Sequence, residues 1–350
     1  MRVCLLCVEI FAWGKFGGFG RSTRVVGREL VKRGIEVTAD KKLIIADEWD
    51  FALKEYTYTT SGATKVRQLF GNAAKNTGAN SPRGLALDSL GHIFASDWWN
   101  QRIIRTDLSG GNFFTWGKRG IRGEVGSLNF QWGVAVQPGT NNVFVANRES
   151  HEIKVFSNNG TQLWAWGKRS SAPGDFTFPQ GLTFDKDGTL LVADSGNGRI
   201  ERFKVNSDSL TYITSYGTTG TGTGQLQMPT GVDTAADGTI WIADTKNNRI
   251  VSYKPSTGTW GTPITKPAGS TRPFAVPWGV TVAPDGYIWV ADTGRQRLVR
   301  MSTSGTMSYE VTGASAGTSD FVGPFQVVFD ASGDLYMSDT WGNRVIRLGF

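Results

Sequence analysis

Six positions in this 350-residue chain carry an acid or its amide at the end of a short apolar run: Asp97, Asn147, Asp194, Asp244, Asp292 and Asp339. Five residues further on stand Arg102, Arg199, Arg249, Arg297 and Arg344, with Glu152 in the second copy. Carboxylates in such a series are able to ligate metal ions, or each can pair with its own guanidinium. A reacting group occurs once, whereas a pair returning copy after copy is a device for building the copy. Asp97–Arg102, Asp194–Arg199, Asp244–Arg249, Asp292–Arg297 and Asp339–Arg344 are therefore read as structural pairs, each carboxylate also accepting backbone N–H bonds from the turn that follows it. No metal, cofactor or catalytic residue is assigned.

Other reactive side chains are sparse. The chain has two histidines, His92 in the turn between first and second strands and His151 in the turn between second and third. Antiparallel strands put those turns on opposite faces, so the two cannot share a metal. Cys4 and Cys7 supply two ligands where a structural zinc site needs four, and two cysteines make no disulfide framework. They read as small buried residues.

Aromatic residues offer more. Trp132, Trp278 and Phe325 occupy a place that is Gln180 or Thr230 in other copies, and Trp98, Trp99 and Trp341 lie in the turns after the acid positions. All six fall on one face, where they suit a protein partner's hot spot or a small ligand; packing between neighbouring repeats is the competing reading. Lys118, Arg119, Arg122, Lys168 and Arg169 follow two successive fourth strands and form a candidate basic patch.

The elements that position these residues come from a repeat of 47 to 50 residues. Pro179-Gln-Gly-Leu-Thr-Phe-Asp-Lys-Asp-Gly-Thr-Leu-Leu-Val-Ala-Asp-Ser-Gly-Asn-Gly-Arg-Ile200 returns from Pro229 and from Pro277, and more weakly from Pro82, Gln131 and Pro324. Thirteen residues separate the Gly (Gln326 in the last copy) from the acid, except for fourteen between Gly133 and Asn147, with the extra residue near the Gly139–Asn142 turn. Gly-Leu-Thr-Phe alternates as a half-buried strand, Lys-Asp-Gly is a hairpin turn and Leu-Leu-Val-Ala is a buried strand. Arg-Ile-Glu-Arg-Phe opens a third strand and Gln162-Leu-Trp-Ala-Trp166 exemplifies a fourth. Four antiparallel strands at this period are the blade of an all-β propeller.

Pro-x-Gly-hydrophobic, Asp-Gly and Val-Ala-Asp-Ser-x-Asn-x-Arg-Ile resemble the NHL-repeat family of propellers over roughly residues 80–350; the copy at Asn147 departs most, with Ser150 and Glu152 in the Asn and Arg places. The resemblance implies a propeller but no single activity, since the family includes enzymes, RNA binders and protein-binding scaffolds. Its amidating lyases need several His ligands and its antibiotic-inactivating lyases a catalytic His.

Upstream, Gly34-Ile-Glu-Val-Thr-Ala-Asp-Lys-Lys-Leu-Ile-Ile-Ala-Asp47 keeps the thirteen-residue spacing, with Ala63–Phe70 as a fourth strand. Seven blades over residues 34–350 are expected, six being the alternative. Phe11-Ala-Trp-Gly-Lys15 repeats Trp164-Ala-Trp-Gly-Lys168 and would give the last blade its outer strand, removing an edge. Residues 1–37 also resemble the start of a GT-B glycosyltransferase: an apolar strand, Gly17-Gly-Phe-Gly-Arg-Ser, then a helix over about 23–33 capped by Ser22 and ended by Gly34. Residues 1–33 are thus a closing strand and loop or a transferase-like leader, with a strand near 35–38 in either case.

Composition narrows the function. Forty-five Gly and 41 aromatic residues exclude a disordered chain, and no apolar run approaches the ~18 residues of a membrane span. The net charge of +7 looks like a nucleic-acid signal, but residues 1–42 hold nine basic and four acidic groups, leaving only +2 for the rest. Glu9 interrupts the first apolar stretch and no small-residue cleavage site follows, which disfavours a signal peptide and favours the cytoplasm. The expected function is a non-catalytic binding scaffold for a protein partner or small ligand. The alternatives are a metal-dependent lyase or hydrolase, and a single-stranded RNA binder.

Overall fold

The computed structural model describes residues 42–47, 52–59, 62–68, 79–108, 111–312 and 321–348. Six consecutive antiparallel sheets, here blades 1 to 6, begin with the strands Pro82–Leu87, Val134–Val136, Pro179–Phe184, Pro229–Thr234, Pro277–Val282 and Pro324–Phe329. Blades 1 to 5 have four strands; blade 6 has three among the described residues. Blade 3 is representative: Leu182 pairs with Val192, Ala193 with Ile200, and Ile200 with Tyr216. The second strands, such as Leu190–Asp194, are buried along their length except for His92 at the start of that of blade 1, as their apolar runs require.

The core is divided between the blades. Separate apolar clusters fill each of the junctions 1–2, 2–3, 3–4, 4–5 and 5–6. A sixth joins Tyr336 and Val345 of blade 6 to Leu85, Ile93 and Ile104 of blade 1. That junction is also hydrogen-bonded, the hydroxyls of Ser338 and Thr340 donating to the carbonyls of Arg83 and Pro82 at 2.6 and 2.7 Å. The ring therefore closes with six blades, which corrects the expectation of seven. Lys42–Asp47 instead pairs with Ala52–Thr59, which pairs with Gly62–Gln68, in a separate three-stranded sheet. Its Gly-to-acid spacing is that of a blade, but Asp50 and Ala52 stand where Asn and Arg would complete the turn. Ala52–Thr59 comes alongside Arg344–Leu348 without joining its ladder. Residues 11–15, the segment 23–33, the strand near 35–38 and the transferase-like start all lie outside the described residues.

The repeated Gly has a steric cause. A Cβ on Gly133 would lie 2.2 Å from the Gln180 carbonyl oxygen, and one on Gly181 2.2 Å from that of Thr230. Neighbouring inner strands approach too closely there for any side chain. Just before this point the ladder slips: Pro179 pairs with Asp194 but Leu182 with Val192, a bulge shared by blades 1, 4 and 6. Bulges re-aim side chains; here the residue between Pro and Gly borders the ring's axis, where Trp132, Thr230, Trp278 and Phe325 line the central cavity.

Candidate functional site

The acid positions are fully buried and hold each blade to its incoming loop. Asp194 accepts the Thr177 backbone N–H at 2.7 Å, the Asn197 amide at 2.7 Å and the Arg199 Nε–H at 2.8 Å. The same pattern, with the backbone donor seventeen residues upstream, occurs at Asp97 and Asp244. Asp292 takes the Ala275 N–H and Arg297, while Asp339 takes the Val322 and Gly323 N–H groups; the Arg344 side chain lies outside the described residues. The backbone donors thus belong to the preceding loop, not to the turn after the acid as read from the sequence. Burial pushes the Asp97, Asp194 and Asp292 carboxyls up, against the pull of their partners. Blade 2 inverts the pair, the Asn147 amide donating to Glu152 at 2.8 Å.

A second row of residues, each directly after the acid, staples one blade to the next. Ser195, Thr245, Thr293 and Thr340 donate their hydroxyls to the carbonyls of Pro229, Pro277, Pro324 and Pro82 at 2.5 to 2.8 Å. Blades 1 and 2 break this row with Trp98 and Arg148. Those two residues pack where the axial row is also broken.

Around the axis the residues between Pro (or Gln131) and Gly or Gln326 are Arg83, Trp132, Gln180, Thr230, Trp278 and Phe325. Trp132 and Trp278 come from opposite blades and stack with centroids 5.1 Å apart and planes 16° apart. Phe325 lies against both, at 5.3 and 4.5 Å. Together they plug the channel, leaving a cavity of about 10 Å³, space for about one water. Arg83, 7% exposed, sets its guanidinium 3.7 Å from the Trp132 ring centroid and 4.0 Å from that of Trp98. Arg148 stands over the other side of this cluster, 5.1 Å from Trp132 and 4.6 Å from Phe178.

Among the described residues Arg83 has no carboxylate partner, and its Nε and Nη1 are buried without a hydrogen-bond acceptor. Burial, reinforced by the charge of Arg148, pushes its pKa down to about 9, so it remains cationic at neutral pH. The indole nitrogens of Trp98, Trp132 and Trp278 are likewise buried and unpaired. Arg148, by contrast, pairs with Glu149.

The six aromatic residues named from sequence therefore separate into two groups. Trp132, Trp278 and Phe325 form the plug, flanked by half-buried Trp98. Trp99 and Trp341 are 58% and 57% exposed, at equivalent positions in adjoining blades 1 and 6. Sequence reasoning passed over Arg83 and Arg148; their signal was the break in two rows otherwise held by small polar or aromatic residues.

The basic residues Lys118, Arg119, Arg122, Lys168 and Arg169 are exposed on two successive loops, which Arg122 joins by donating to the Gly167 carbonyl at 2.8 Å. Glu152 and Asp175 lie 3.8 Å from Arg122 and Lys168, so acids interleave the patch. His92 pairs with Asp88 at 2.7 Å at the far end of its strand from Asp97. His151 accepts the Phe178 N–H through Nδ1 at 3.0 Å, and burial holds it below the usual imidazole range. Among the described residues no three His, Cys, Asp or Glu side chains gather as a metal-binding group, and no helix is long and apolar enough to cross a membrane.

Comparison with known proteins places this geometry. Over 142 residues the chain is 34% identical to peptidyl-glycine alpha-amidating monooxygenase A of Xenopus laevis, covering 37% of this chain and 15% of that protein. The chain thus spans a small part of the length of the curated relative it matches. Among solved structures, it resembles catalytically inactive virginiamycin B lyase of Staphylococcus aureus with quinupristin (TM-score 0.55, 17% identity, 79% of this chain and 83% of that one). It also resembles a chain of a nidogen/laminin complex (TM-score 0.52, 17% identity, 77% and 92%). At such identities the likeness is one of fold. Residues 176–203, 226–253 and 274–301, in blades 3, 4 and 5, match the NHL repeat, and the chain is a β-propeller that carries NHL repeats.

Proposed function

We propose that the protein is a non-catalytic binding module that engages its partner on the face bearing Trp98, Trp99 and Trp341. The observation that carries this reading is the exposure of Trp99 and Trp341 at matching positions of adjoining blades. The other four blades place Glu149, Gly196, Lys246 and Gly294 there. An indole held in water forgoes a large burial gain, and rigid aromatic side chains dominate binding hot spots. The nidogen/laminin chain, a similar fold found in a protein complex, is consistent with a protein partner.

The test is affinity capture with wild type and a Trp99→Ala/Trp341→Ala double variant, both checked for unchanged circular dichroism. Partners retained by wild type should be lost by the variant. An unchanged partner set would overturn the assignment of this face.

A further inference from the structure

We propose that Arg83 and the indole N–H groups around it form a site for a carboxylate presented from the loop face. This rests on the binding-module reading only in sharing its face, and adds the chemistry of the group recognised.

Unsatisfied donors mark the site. Buried polar groups are ordinarily hydrogen-bonded, and a buried charge ordinarily has a partner. Here Arg83 Nε and Nη1 and the Nε1 atoms of Trp98, Trp132 and Trp278 all lack acceptors, within a cluster whose ring centroids lie 3.7 to 5.4 Å from the guanidinium carbon. The orphan acceptors in the axial row and in the segments beside it are neutral amide oxygens, the Oε1 atoms of Gln180, Gln131 and Gln101. A cluster so rich in donors and carrying an unneutralised cation calls for an anionic acceptor. Trp98 and Trp132 hold the guanidinium carbon 4.0 and 3.7 Å from their ring centroids, and a held planar guanidinium matches a planar carboxylate.

Size and charge narrow the class further. The axial cavity bordered by Trp132 and Trp278 has room for about one water and is not lined by Arg83, so a ligand can offer this buried cluster no more than a small anionic head group. Arg83 offers one unpaired positive charge, since Arg148 is ion-paired with Glu149 through Nη1 although its Nε is also without an acceptor. One cation among neutral donors suits a carboxylate better than a phosphate dianion. The broken rows agree: blades 1 and 2 give up their hydroxyl staple where Trp98 and Arg148 flank Arg83.

The probes are benzoate, its neutral isostere benzamide, and inorganic phosphate, each titrated into the full chain. Indole ¹H–¹⁵N signals, assigned by single Trp→Phe substitutions, report at the site, and calorimetry gives affinity. Benzoate should shift the Trp132 and Trp278 indole signals saturably, while benzamide leaves them in place. Arg83→Gln should weaken benzoate at least tenfold, and Arg83→Lys should recover only part, since it restores charge without the plane.

Equal responses to benzoate and benzamide, binding unchanged in Arg83→Gln, no benzoate binding, or preference for phosphate would each overturn the carboxylate assignment. If Arg83→Gln fails to fold, the wild-type contrast between benzoate and benzamide still decides. None of these readings requires a partner, so a null result here leaves the Trp99/Trp341 face standing, and intact capture by the double variant leaves the carboxylate site standing.

Discussion

Trp132 and Trp278 belong to opposite blades and meet face to face on the axis of the ring, with centroids 5.1 Å apart. Residues 146 positions apart in sequence thereby close a channel that neighbouring blades alone leave open. Trp132 is nearly fully buried, touching Trp278 and Phe325 and covering the Arg83 guanidinium. Trp132→Ala should cost ~3–5 kcal/mol, the range for deleting a large buried aromatic side chain. Urea unfolding measures this. A loss under about 1 kcal/mol would mean that the plug collapses around the deletion and that the stack contributes little.

The buried pairs should differ in cost according to their charge. Asp194→Ala leaves Asn197 and the Thr177 N–H without their acceptor and Arg199 with Glu201 alone as a carboxylate partner, so a loss of about 3 kcal/mol, the low end for breaking a buried pair, is expected. Asn147→Ala removes a neutral amide from the inverted pair of blade 2, and ~1–3 kcal/mol is expected there. Denaturant midpoints of the two variants, compared in parallel, check the ranking. Equal losses would show that the guanidinium carries no special share.

How far the sequence disclosed these features depended on periodicity. Strand order, the hairpin turns, the Gly positions and the Asp–Arg spacing all return every 47 to 50 residues, and each return reinforces the last. Blade number was harder, because closure depends on the angle between inner strands. The contact of Tyr336 and Val345 with Leu85 leaves no trace in local spacing. Gly34–Asp47 mimicked a blade in the one measure that spacing supplies. The plug was half legible: Trp132, Trp278 and Phe325 stood out as aromatic, but Arg83 reads as an ordinary surface cation until the fold buries it.

Arg83 sets two effects against each other. Desolvation of an unpaired guanidinium costs several kcal/mol, whereas stacking on Trp98 and Trp132 returns up to about 2 kcal/mol for each contact. Arg83→Met keeps the apolar stem and removes the charge, so without ligand its unfolding midpoint should match or exceed that of wild type. A thermal melt in a carboxylate-free buffer tests this. A drop would mean that the cation–π contacts outweigh burial and that Arg83 is there to build the plug.

Glu201 should make stability depend on pH in the neutral range. Its carboxyl lies fully buried on the third strand of blade 3; burial, partly offset by Arg199 and the Gly174 N–H, pushes its pKa up to about 7 from 4.5. An acid raised on folding binds its proton more tightly in the native state, so its contribution is greatest below 4.5 and is lost as pH rises through 7. Asp97, Asp194 and Asp292 are raised as well and act in the same direction, while Asp237, held down to about 2, acts only at much lower pH. At ~1.4 kcal/mol per unit, the Glu201 share is on the order of 3 kcal/mol at most. Glu201→Gln should flatten the stability profile between pH 5 and 8 and raise the midpoint at pH 8, with Arg199 still held by Asp194. Guanidinium-chloride unfolding across that range gives both numbers. A variant profile as steep as that of wild type would place the titration elsewhere.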